Sequence, residues 1–483
     1  MFYNSMMRQY IKGVDREQSL LLPDIVDDYV SESNPVRFIE AYVDQLNLPE
    51  LGFKLKNIEC KGRPAYHPGD LLKLYIYGYL NRVRSSRRLE HETHRNMEVI
   101  WLMRKLRPDY KTIADFRADN KKVFRKVYRE FTLLCKKLDL FGKELVAIDG
   151  SKIKAVNSKS RNYSARVVKE RLAAINEKIE RYLRELDEYD EKENHNNTPS
   201  REELNEKIKY LKGRKGTFKS YEKSMKESGD LQVSLTDPDC RSSSKNDQTI
   251  VGYSLQIAVD GKNKLIAAQE VVSDVSDIHQ LAPMAIAAKE TLDVESLDVV
   301  VDMGYYDGKQ VEQCEDENIT VYMNKANTSA NARKGYYTKQ DFRYDKSNDT
   351  YICPANNTLS YSTTSKTKGR DYRYYSLPKK VCRNCKLKNK CYPGNERKRI
   401  GRSMEEDCLD RMAQRLKDKP ELLPKRKAIV EHCFGTLKCA MDNATFLTRG
   451  IESVRAEMSL ATLAYNMKRV MNIMGVQKLI EAL

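Results

Sequence analysis

The stretch LVAIDGSKIKAV, residues 145 to 156, places Asp149 at the end of a short apolar run. A second stretch, ESLDVVVDMGYYDG at residues 295 to 308, repeats this arrangement with three valines before Asp302. Asp-Gly is a frequent turn pair, so one interpretation is that Asp149 only turns the chain. The other is that each acid ends a buried strand, where the sites of open α/β sheets gather. Two such acids on neighbouring strands would repel each other unless cations or hydrogen bonds held them.

The segments around these acids alternate between strand and helix patterns. Residues 249 to 272 contain two alternating apolar runs joined by Asp260-Gly261, which predicts a β-hairpin. A helix over 277–292, the strand that ends at Asp302, a helix near 309–318 and a strand over 319–325 follow. Residues 165 to 228 are rich in Glu, Lys, Arg and Leu and predict two long helices, an inserted hairpin with a structural role. This order predicts a mixed α/β fold.

The charge balance indicates a polyanionic partner. The 483 residues include 86 Lys and Arg against 69 Asp and Glu, a formal net charge of +17. Nucleic acid is the simplest such partner, and an anionic membrane surface is the competing one. Because no apolar run of about 18 residues exists and the start lacks a signal-peptide pattern, we expect a cytoplasmic protein without a membrane partner. The basic helical region before residue 140 fits either DNA phosphates or a solvated structural face.

A third acid is offered by PKRKAIVEHCFGTLKCAMDNATF, residues 424 to 446. The pattern predicts a helix that begins near Pro424 and carries Glu431. Lys438 lies within roughly 20° of Glu431 around the axis of such a helix, so an acid and a phosphate-binding lysine would share one stripe. Carboxylate oxygens favour Mg²⁺ or Mn²⁺. The alternative is a boundary glutamate paired with Lys427 at i−4.

Four of the eleven cysteines form a separate cluster in a basic segment interleaved with tyrosines. They are Cys353, Cys382, Cys385 and Cys391. Most other cysteines occur singly, which is typical of a reduced compartment. The C-x2-C spacing with further cysteines on both sides predicts a structural Zn²⁺ site, with unligated or redox-active thiols as the alternative. The basic and aromatic surroundings suit contact with nucleic-acid phosphates and bases.

In order along the chain, several stretches resemble the DDE transposases of bacterial insertion sequences. They are RPDYKTIADFR, AIDGSKIKA, DPDCRSSSKNDQTIVGYSLQIAVD, VVVDMGYYDG, KRKAIVEHCFGTLK and LATLAYNMKRVM. The resemblance is closest to the branch called insertion-sequence family eleven-eighty-two, related to the larger group with a Tyr-Arg-Glu-Lys signature. It places the catalytic, metal-binding acids at Asp149, Asp302 and Glu431.

The flanking cations of this signature fall on Arg426 and Lys438. The tyrosine that often lies three places before the arginine is Leu423 here, a departure that bears on activity. In one continuous helix Arg426 would point about 140° away from Glu431. We therefore expect either that the helix starts after Arg426 or that Lys427 takes its place.

The resemblance implies a ribonuclease-H-like mixed sheet with a helical N-terminal domain, an inserted helical hairpin and a small cysteine-rich insertion. It implies a two-metal Mg²⁺ or Mn²⁺ site that cleaves the ends of an insertion sequence and joins the 3′-hydroxyl ends to target DNA. Implied partners are the terminal repeats, target DNA and a second copy of the chain on paired ends, in the bacterial cytoplasm near the nucleoid. The alternatives are a non-catalytic DNA-binding descendant and a metal-dependent DNA nuclease without strand transfer.

These expectations divide the chain into six segments. They are a helical DNA-binding domain (1–140), the first core strand (141–164), the helical hairpin (165–229), the catalytic core (230–328), the basic cysteine-rich insertion (329–420) and the C-terminal core helices (421–483).

Overall fold

A computed structural model describes residues 25–54, 65–191, 200–245, 248–325, 334–367, 370–391 and 397–483. Parts of the predicted N-terminal domain, of the link between the two long helices and of the cysteine-rich insertion lie outside the described residues. The described chain combines a mixed sheet with many helices, which confirms the predicted α/β class. No helix within these ranges is both long and apolar enough to cross a lipid bilayer.

The helices are α1 Pro35–Gln45, α2 Leu48–Leu51, α3 Pro68–Leu80, α4 Ser86–Arg95, α5 Met97–Leu102, α6 Tyr110–Asp119, α7 Lys121–Lys137, α8 Ala165–Glu191, α9 Arg201–Ser228, α10 Leu281–Leu292, α11 Gly308–Asp316, α12 Lys379–Arg383, α13 Lys388–Cys391, α14 Glu406–Asp418, α15 Leu422–Gly435, α16 Ile451–Met474 and α17 Val476–Glu481. A π-helical turn, Thr436–Ala440, continues α15. Short 3₁₀ turns are Val26–Tyr29, Lys159–Arg161, Met303–Tyr305 and Lys339–Asp341.

The strands are β1 Leu145–Lys154, β2 Asn162–Ser164, β3 Gln232–Ser234, β4 Arg241–Lys245, β5 Gln248–Asp260, β6 Ile266–Val272, β7 Leu297–Val301, β8 Ile319–Tyr322, β9 Arg343–Asp345, β10 Thr350–Ile352, β11 Thr358–Thr367, β12 Arg370–Ser376 and β13 Arg399–Ser403.

The main sheet is built around β1. One edge of β1 pairs antiparallel with β5, and the other pairs parallel with β7, which in turn pairs parallel with β8. The far edge of β5 pairs antiparallel with β4 and, further along, with β6. The predicted hairpin at Asp260-Gly261 is the β5–β6 connection. The sheet therefore has an antiparallel half and a parallel half that meet at β1.

The prediction that Asp149 ends its strand is wrong. Strand β1 continues to Lys154, because β5 pairs with it from Val146 through Lys154. The parallel ladder with β7, by contrast, ends at the pair Ile148–Val301. Asp149 thus lies in mid-strand at the point where the parallel pairing stops, and the polar residues that follow it are held by the antiparallel partner.

One hydrophobic cluster joins the N-terminal helices to the main sheet and to α16. Helix α3 is buried nearly all round, with Tyr75 and Tyr79 fully covered, and it packs with α7 against α16. Across this junction the buried Arg84 Nη1 lies 3.2 Å from Glu457 Oε1. Glu457 also accepts hydrogen bonds from the backbone amides of Leu447 and Thr448. The N-terminal helices and the sheet are therefore parts of one packed body.

Two further segments have small cores of their own. Helices α8 and α9 lie between β1 and β5 in the sequence, within the segment predicted as two long helices. They pack on each other through a cluster that includes Val168, Ile175, Leu211 and Phe218. Strands β9 to β13 form a five-stranded antiparallel sheet in the order β13-β12-β11-β10-β9. Its core includes Phe342, Tyr351, Tyr375 and Ile400. The sequence pattern did not predict this second sheet.

Candidate active site

Asp149 and Asp302 lie side by side on neighbouring strands. Each follows the last residue pair of the parallel β1–β7 ladder, so their backbones emerge together from the sheet. Asp302 accepts a hydrogen bond from the amide of Met303 at 2.8 Å and caps the short turn that follows β7. The side chain of Asp149 is 24% exposed and that of Asp302 60% exposed. The pair therefore has one partly buried and one open carboxylate.

Arg426 lies between these two acids. Its Nη1 donates to Asp149 Oδ2 at 2.8 Å, and its Nη2 lies 3.9 Å from Asp302 Oδ1. The guanidinium side chain is only 12% exposed. A single cation is thus shared by the two carboxylates, which relieves their mutual repulsion.

The expectation that α15 starts after Arg426, or that Lys427 replaces it, is wrong. Helix α15 begins at Leu422, and Arg426 shares its inward face with the fully buried Val430, one turn later. That face packs on β1 and β7, so Arg426 meets the aspartates while Lys427 is exposed to solvent. Leu423 is half-buried against the main core.

The electrostatic surroundings of Asp149 oppose its ionisation. Burial is the largest influence and raises the pKa of Asp149, Arg426 lowers it, and the charge of Asp302 raises it again. The net pKa shift is upward. A cation at this position therefore favours the ionised carboxylate.

Glu431 does not join the aspartate pair in this structure. It is exposed on α15 and makes no hydrogen bond or ion pair with any residue the structure describes, Lys427 included. Among the described residues, no three acid, histidine or cysteine side chains are arranged to hold one metal ion. The alternative prediction, an ion pair between Glu431 and Lys427, is also wrong for this structure.

Lys438 contacts β1 from the π-helical turn after α15. Its Nζ donates to Ser151 Oγ at 2.5 Å and to the carbonyl of Lys152 at 2.9 Å. Ser151 is two residues beyond Asp149 and so lies on the same face of the strand. Burial lowers the pKa of Lys438. Arg426 and Lys438 thus reach neighbouring points on one face of β1, and Glu431 lies between them along the chain.

Three polar residues near the pair were not singled out in the sequence. The buried Tyr305 donates to Gln256 Oε1, and Gln256 Nε2 donates to Asp277 Oδ1 at 2.6 Å. A Cβ at Gly150 would lie 2.6 Å from Gln256 Nε2, so any larger residue there would force Gln256 to shift. Gln256 is directly opposite Gly150 on β5. A glutamine inside the apolar run of β5 was the signal that could have indicated this network.

The four clustered cysteines line one cavity beneath the second sheet. All four are free of disulfide bonds. Burial raises the pKa of Cys391, Lys398 lowers it, and the charges of the other three thiols raise it. The backbone amide of Asn357 lies 3.4 Å from Cys353 Sγ, a donor that suits a thiolate. The predicted zinc ligands therefore line one space, but no three of these thiols are arranged in this structure to hold one metal ion.

The donor sets fit the predicted metals to different degrees. Asp149 and Asp302 offer only oxygen atoms and already share one cation, which fits Mg²⁺ or Mn²⁺. Glu431 would have to approach them to become a third ligand. The four thiols suit Zn²⁺.

Comparison with known proteins gives two family matches. A family model described as Transposase domain (DUF772) matches residues 24–119, and one described as Transposase DDE domain matches residues 352–471. The second match includes Glu431, Arg426 and Lys438, and both aspartates lie outside the two matches.

No curated protein matches the sequence significantly. Among solved structures, a cryo-EM structure of a piggyBac transposase synaptic complex with hairpin DNA is 10% identical and covers 93% of this chain and 79% of that chain. The TM-score of this comparison is 0.32. The two family matches support a DDE transposase, a class of polynucleotidyl transferases that acts on DNA and uses divalent metal.

Proposed function

We propose that this protein cleaves the ends of an insertion sequence with divalent metal and joins the freed 3′-hydroxyl ends to target DNA. The observation that carries the proposal is the aspartate pair, which two adjacent parallel strands present to one shared cation. Assembly of two copies on paired ends and membership of insertion-sequence family eleven-eighty-two are part of the proposal and rest on the sequence resemblance.

The topology of the main sheet supports a ribonuclease-H-like core. Three antiparallel strands, β6, β5 and β1, are followed across the sheet by the parallel strands β7 and β8. The helical hairpin and the cysteine-rich sheet then count as insertions, placed between β1 and β5 and between β8 and α14. The N-terminal helices add a basic face that we assign to DNA.

Each side chain has a defined task in this reaction. Asp149, Asp302 and, after it approaches them, Glu431 would hold Mg²⁺ or Mn²⁺, which supplies charge stabilisation at the scissile phosphate when bound. Lys438, already fixed on β1, neutralises charge on a neighbouring phosphate. Attack of water on phosphorus breaks the bond to the 3′ oxygen and leaves a 3′-hydroxyl and a 5′-phosphate. That hydroxyl then attacks a phosphorus of the target DNA, which forms a new phosphodiester bond, breaks the target's own bond from phosphorus to its 3′ oxygen and releases a 3′-hydroxyl on the target strand.

The test uses the DNA that flanks this gene. Both flanks, end-labelled, are incubated with the full chain and Mg²⁺ or Mn²⁺, and wild type is compared with Glu431→Gln. We expect metal-dependent nicks at defined ends and labelled ends joined to a target plasmid, with both products at least about 10²-fold slower in the variant.

Two outcomes would replace this proposal. Nicks without joined product would indicate a nuclease without strand transfer. Specific binding of the flanks without any cleavage by wild type would indicate a non-catalytic DNA-binding protein, and Leu423 would be the first residue to restore to tyrosine.

We also propose that Cys353, Cys382, Cys385 and Cys391 hold a structural Zn²⁺. Support comes from their shared cavity, the absence of disulfide bonds among them and the amide donor beside Cys353. Binding of the metal would draw the four thiols together and link the end of β10 to α12 and α13, which are all short.

Metal analysis of the purified chain tests the zinc site. We expect about one Zn²⁺ per chain, lost in Cys385→Ser and retained in Cys439→Ser, which alters an exposed cysteine outside the cluster. Zinc-free protein, or zinc that survives Cys385→Ser, would return these residues to the free-thiol interpretation.

A further inference from the structure

We propose that Arg426 is a displaceable cation that occupies the metal position between Asp149 and Asp302 until DNA draws it away. This inference rests on the proposed function, because it concerns how the same site is regulated. It assigns to Arg426 a positioning role before any chemistry, in which metal and guanidinium exclude each other.

Competition follows from the oxygens that both cations need. Arg426 donates to Asp149 at 2.8 Å and faces Asp302 at 3.9 Å, so it covers the oxygens that a bridging metal would contact. A divalent ion between the same carboxylates would meet a full positive charge within a few ångströms. A divalent ion therefore cannot occupy the site while Arg426 is in its present position.

Deprotonation cannot release Arg426, because the guanidinium stays charged throughout the accessible pH range. Only another anion can accept it. A DNA phosphate offers two oxygens in the geometry that a guanidinium binds best. The open side of the pair is that of Asp302, 60% exposed, so a phosphate can approach from there.

Lys438 supplies the attraction that would bring such a phosphate close. Its two partners, the Ser151 hydroxyl and the Lys152 carbonyl, are both uncharged. No acidic side chain among the described residues forms an ion pair with it. A partly buried cation without a counter-ion favours an incoming anion, which would then also meet Arg426 on the same face of β1.

Calorimetry tests the inference by measuring the binding of Mn²⁺ alone to the full chain. Without DNA, Arg426→Gln should bind Mn²⁺ about 10- to 100-fold tighter than wild type, since a charged hydrogen bond no longer competes. Arg426→Lys and Lys425→Gln should remain close to wild type, the first because it keeps a cation and the second because Lys425 is exposed. Adding a short duplex of arbitrary sequence should tighten Mn²⁺ binding by wild type and leave Arg426→Gln unchanged.

A change in Mn²⁺ affinity of the opposite sign would overturn the inference. If Arg426 only supports the fold, Arg426→Gln binds Mn²⁺ as weakly as wild type or more weakly. A rise in melting temperature on adding Mn²⁺, larger for Arg426→Gln than for wild type, provides a second readout in case the variant is less stable. Absence of Mn²⁺ binding by every protein, even with DNA, would remove the metal site of the proposed function itself.

A different observation, on helix α9, carries a second inference. From residue 207 to 221 this helix has six cations and no acid. They are Lys207, Lys209, Lys212, Arg214, Lys215 and Lys219. None of the six forms an ion pair with a residue in the described ranges, whereas elsewhere in the hairpin cations pair with acids one turn away, as Arg166 does with Glu170.

This charge distribution points to a phosphate-binding surface. Leu211 and Phe218 bury the inner face of α9 against α8, so the cations lie outward or at the boundary. Like charges one turn apart, such as Lys215 and Lys219, destabilise a free helix. We infer that this basic face of α9 binds the backbone of duplex DNA outside the active site, whatever reaction that site performs.

The salt dependence of DNA binding tests the basic face of α9. One variant replaces Lys207, Lys209, Lys212 and Lys219 with Gln, and the control replaces Arg166, Lys169, Lys178 and Arg181 on α8, so both lose the same net charge. The slope of log K against log salt should become shallower by about 0.9 per lost phosphate contact in the α9 variant alone, up to roughly 3.6. Equal slopes for the two variants would overturn the inference, and neither result depends on cleavage.

Discussion

At the scale of single residues, Lys438 is a partly buried cation whose partners are neutral. Burial lowers its pKa, and its hydrogen bonds to Ser151 and Lys152 place the ammonium group on the face of β1 that carries Asp149.

 We predict that Lys438→Gln slows cleavage of the flanking DNA by about 10²-fold, because one preorganised charge near the reacting phosphate is lost. Rates of end cleavage at saturating DNA measure this effect.

The matched control for this prediction is Lys425→Gln on the same helix. Lys425 is exposed to solvent, so its variant should cleave at the wild-type rate. Equal rates for Lys438→Gln and Lys425→Gln would contradict the role assigned to Lys438.

At the scale of elements, the pairing of β1 with β5 depends on Gly252. This glycine pairs with Lys154 on β1 and with Arg241 on β4. A Cβ at Gly252 would overlap the carbonyl oxygen of Ile153, which is backbone and cannot turn aside. We predict that Gly252→Ala lowers the free energy of unfolding by about 1–3 kcal/mol or more, measured by urea denaturation.

The same substitution in α9 should have the opposite sign. A Cβ at Gly213 has no neighbouring heavy atom within 4 Å, and Gly213 lies inside a regular helix. Gly213→Ala should therefore raise the free energy of unfolding, or that of the hairpin alone, by about 0.5–1 kcal/mol. A loss of stability in both variants would show that the overlap at Gly252 is not the cause.

At the scale of the whole molecule, Glu406 on α14 connects the cysteine-rich segment to the main sheet. Its carboxylate lies 2.7 Å from Lys339 Nζ and 2.9 Å from Lys325 Nζ. Burial alone would raise the pKa of Glu406, but the charges of Lys339 and Lys325 outweigh it and lower the pKa to about 2. The ionised carboxylate therefore stabilises the folded state.

This pKa shift sets a pH dependence of stability. The contribution of Glu406 is fully present above its unfolded pKa of 4.5 and is lost as the pH falls through that value towards 2. The two lysines shift in opposite directions, because burial lowers the pKa of Lys339 while the charge of Glu406 outweighs burial at Lys325 and raises its pKa. We expect Glu406→Gln to cost roughly 2–3 kcal/mol at neutral pH. The deficit relative to wild type should shrink as the pH falls below 4.5.

Denaturant unfolding of both proteins across this pH range provides the measurement. Glu290→Gln, which alters an exposed residue of α10, controls for the loss of one negative charge. A deficit for Glu406→Gln that stays constant down to the lowest pH would contradict the assignment.

Local sequence patterns predicted the strands and the hairpin whose residues follow one another closely in the chain. The apolar runs before Asp149 and Asp302 predicted two strands, and the structure places these strands next to each other. The alternating runs around Asp260-Gly261 predicted the β5–β6 hairpin. Each of these features is written in fewer than about 25 consecutive residues, because the side-chain period of a strand or helix is local.

The second sheet escaped prediction because its strands carry little apolar alternation. Nine of the ten residues of β11 are not buried, so the strand looks like a polar loop in the sequence. Only its pairing with β10 and β12 makes it a strand. Solvent-exposed, polar strands depend on hydrogen bonds to partners that the local pattern does not contain.

The sequence by itself determined the mixed α/β class, the acid at the end of each apolar run and the cysteine cluster, since each is a pattern of neighbouring residues. The tertiary structure decided that Asp149 lies in mid-strand, that Arg426 and not Lys427 meets it, and that Glu431 remains apart. Arg426 and Asp149 are 277 residues apart in the chain, and their contact exists only because α15 packs on β1. Contacts of that separation follow from the packing of whole elements, which no local periodicity records.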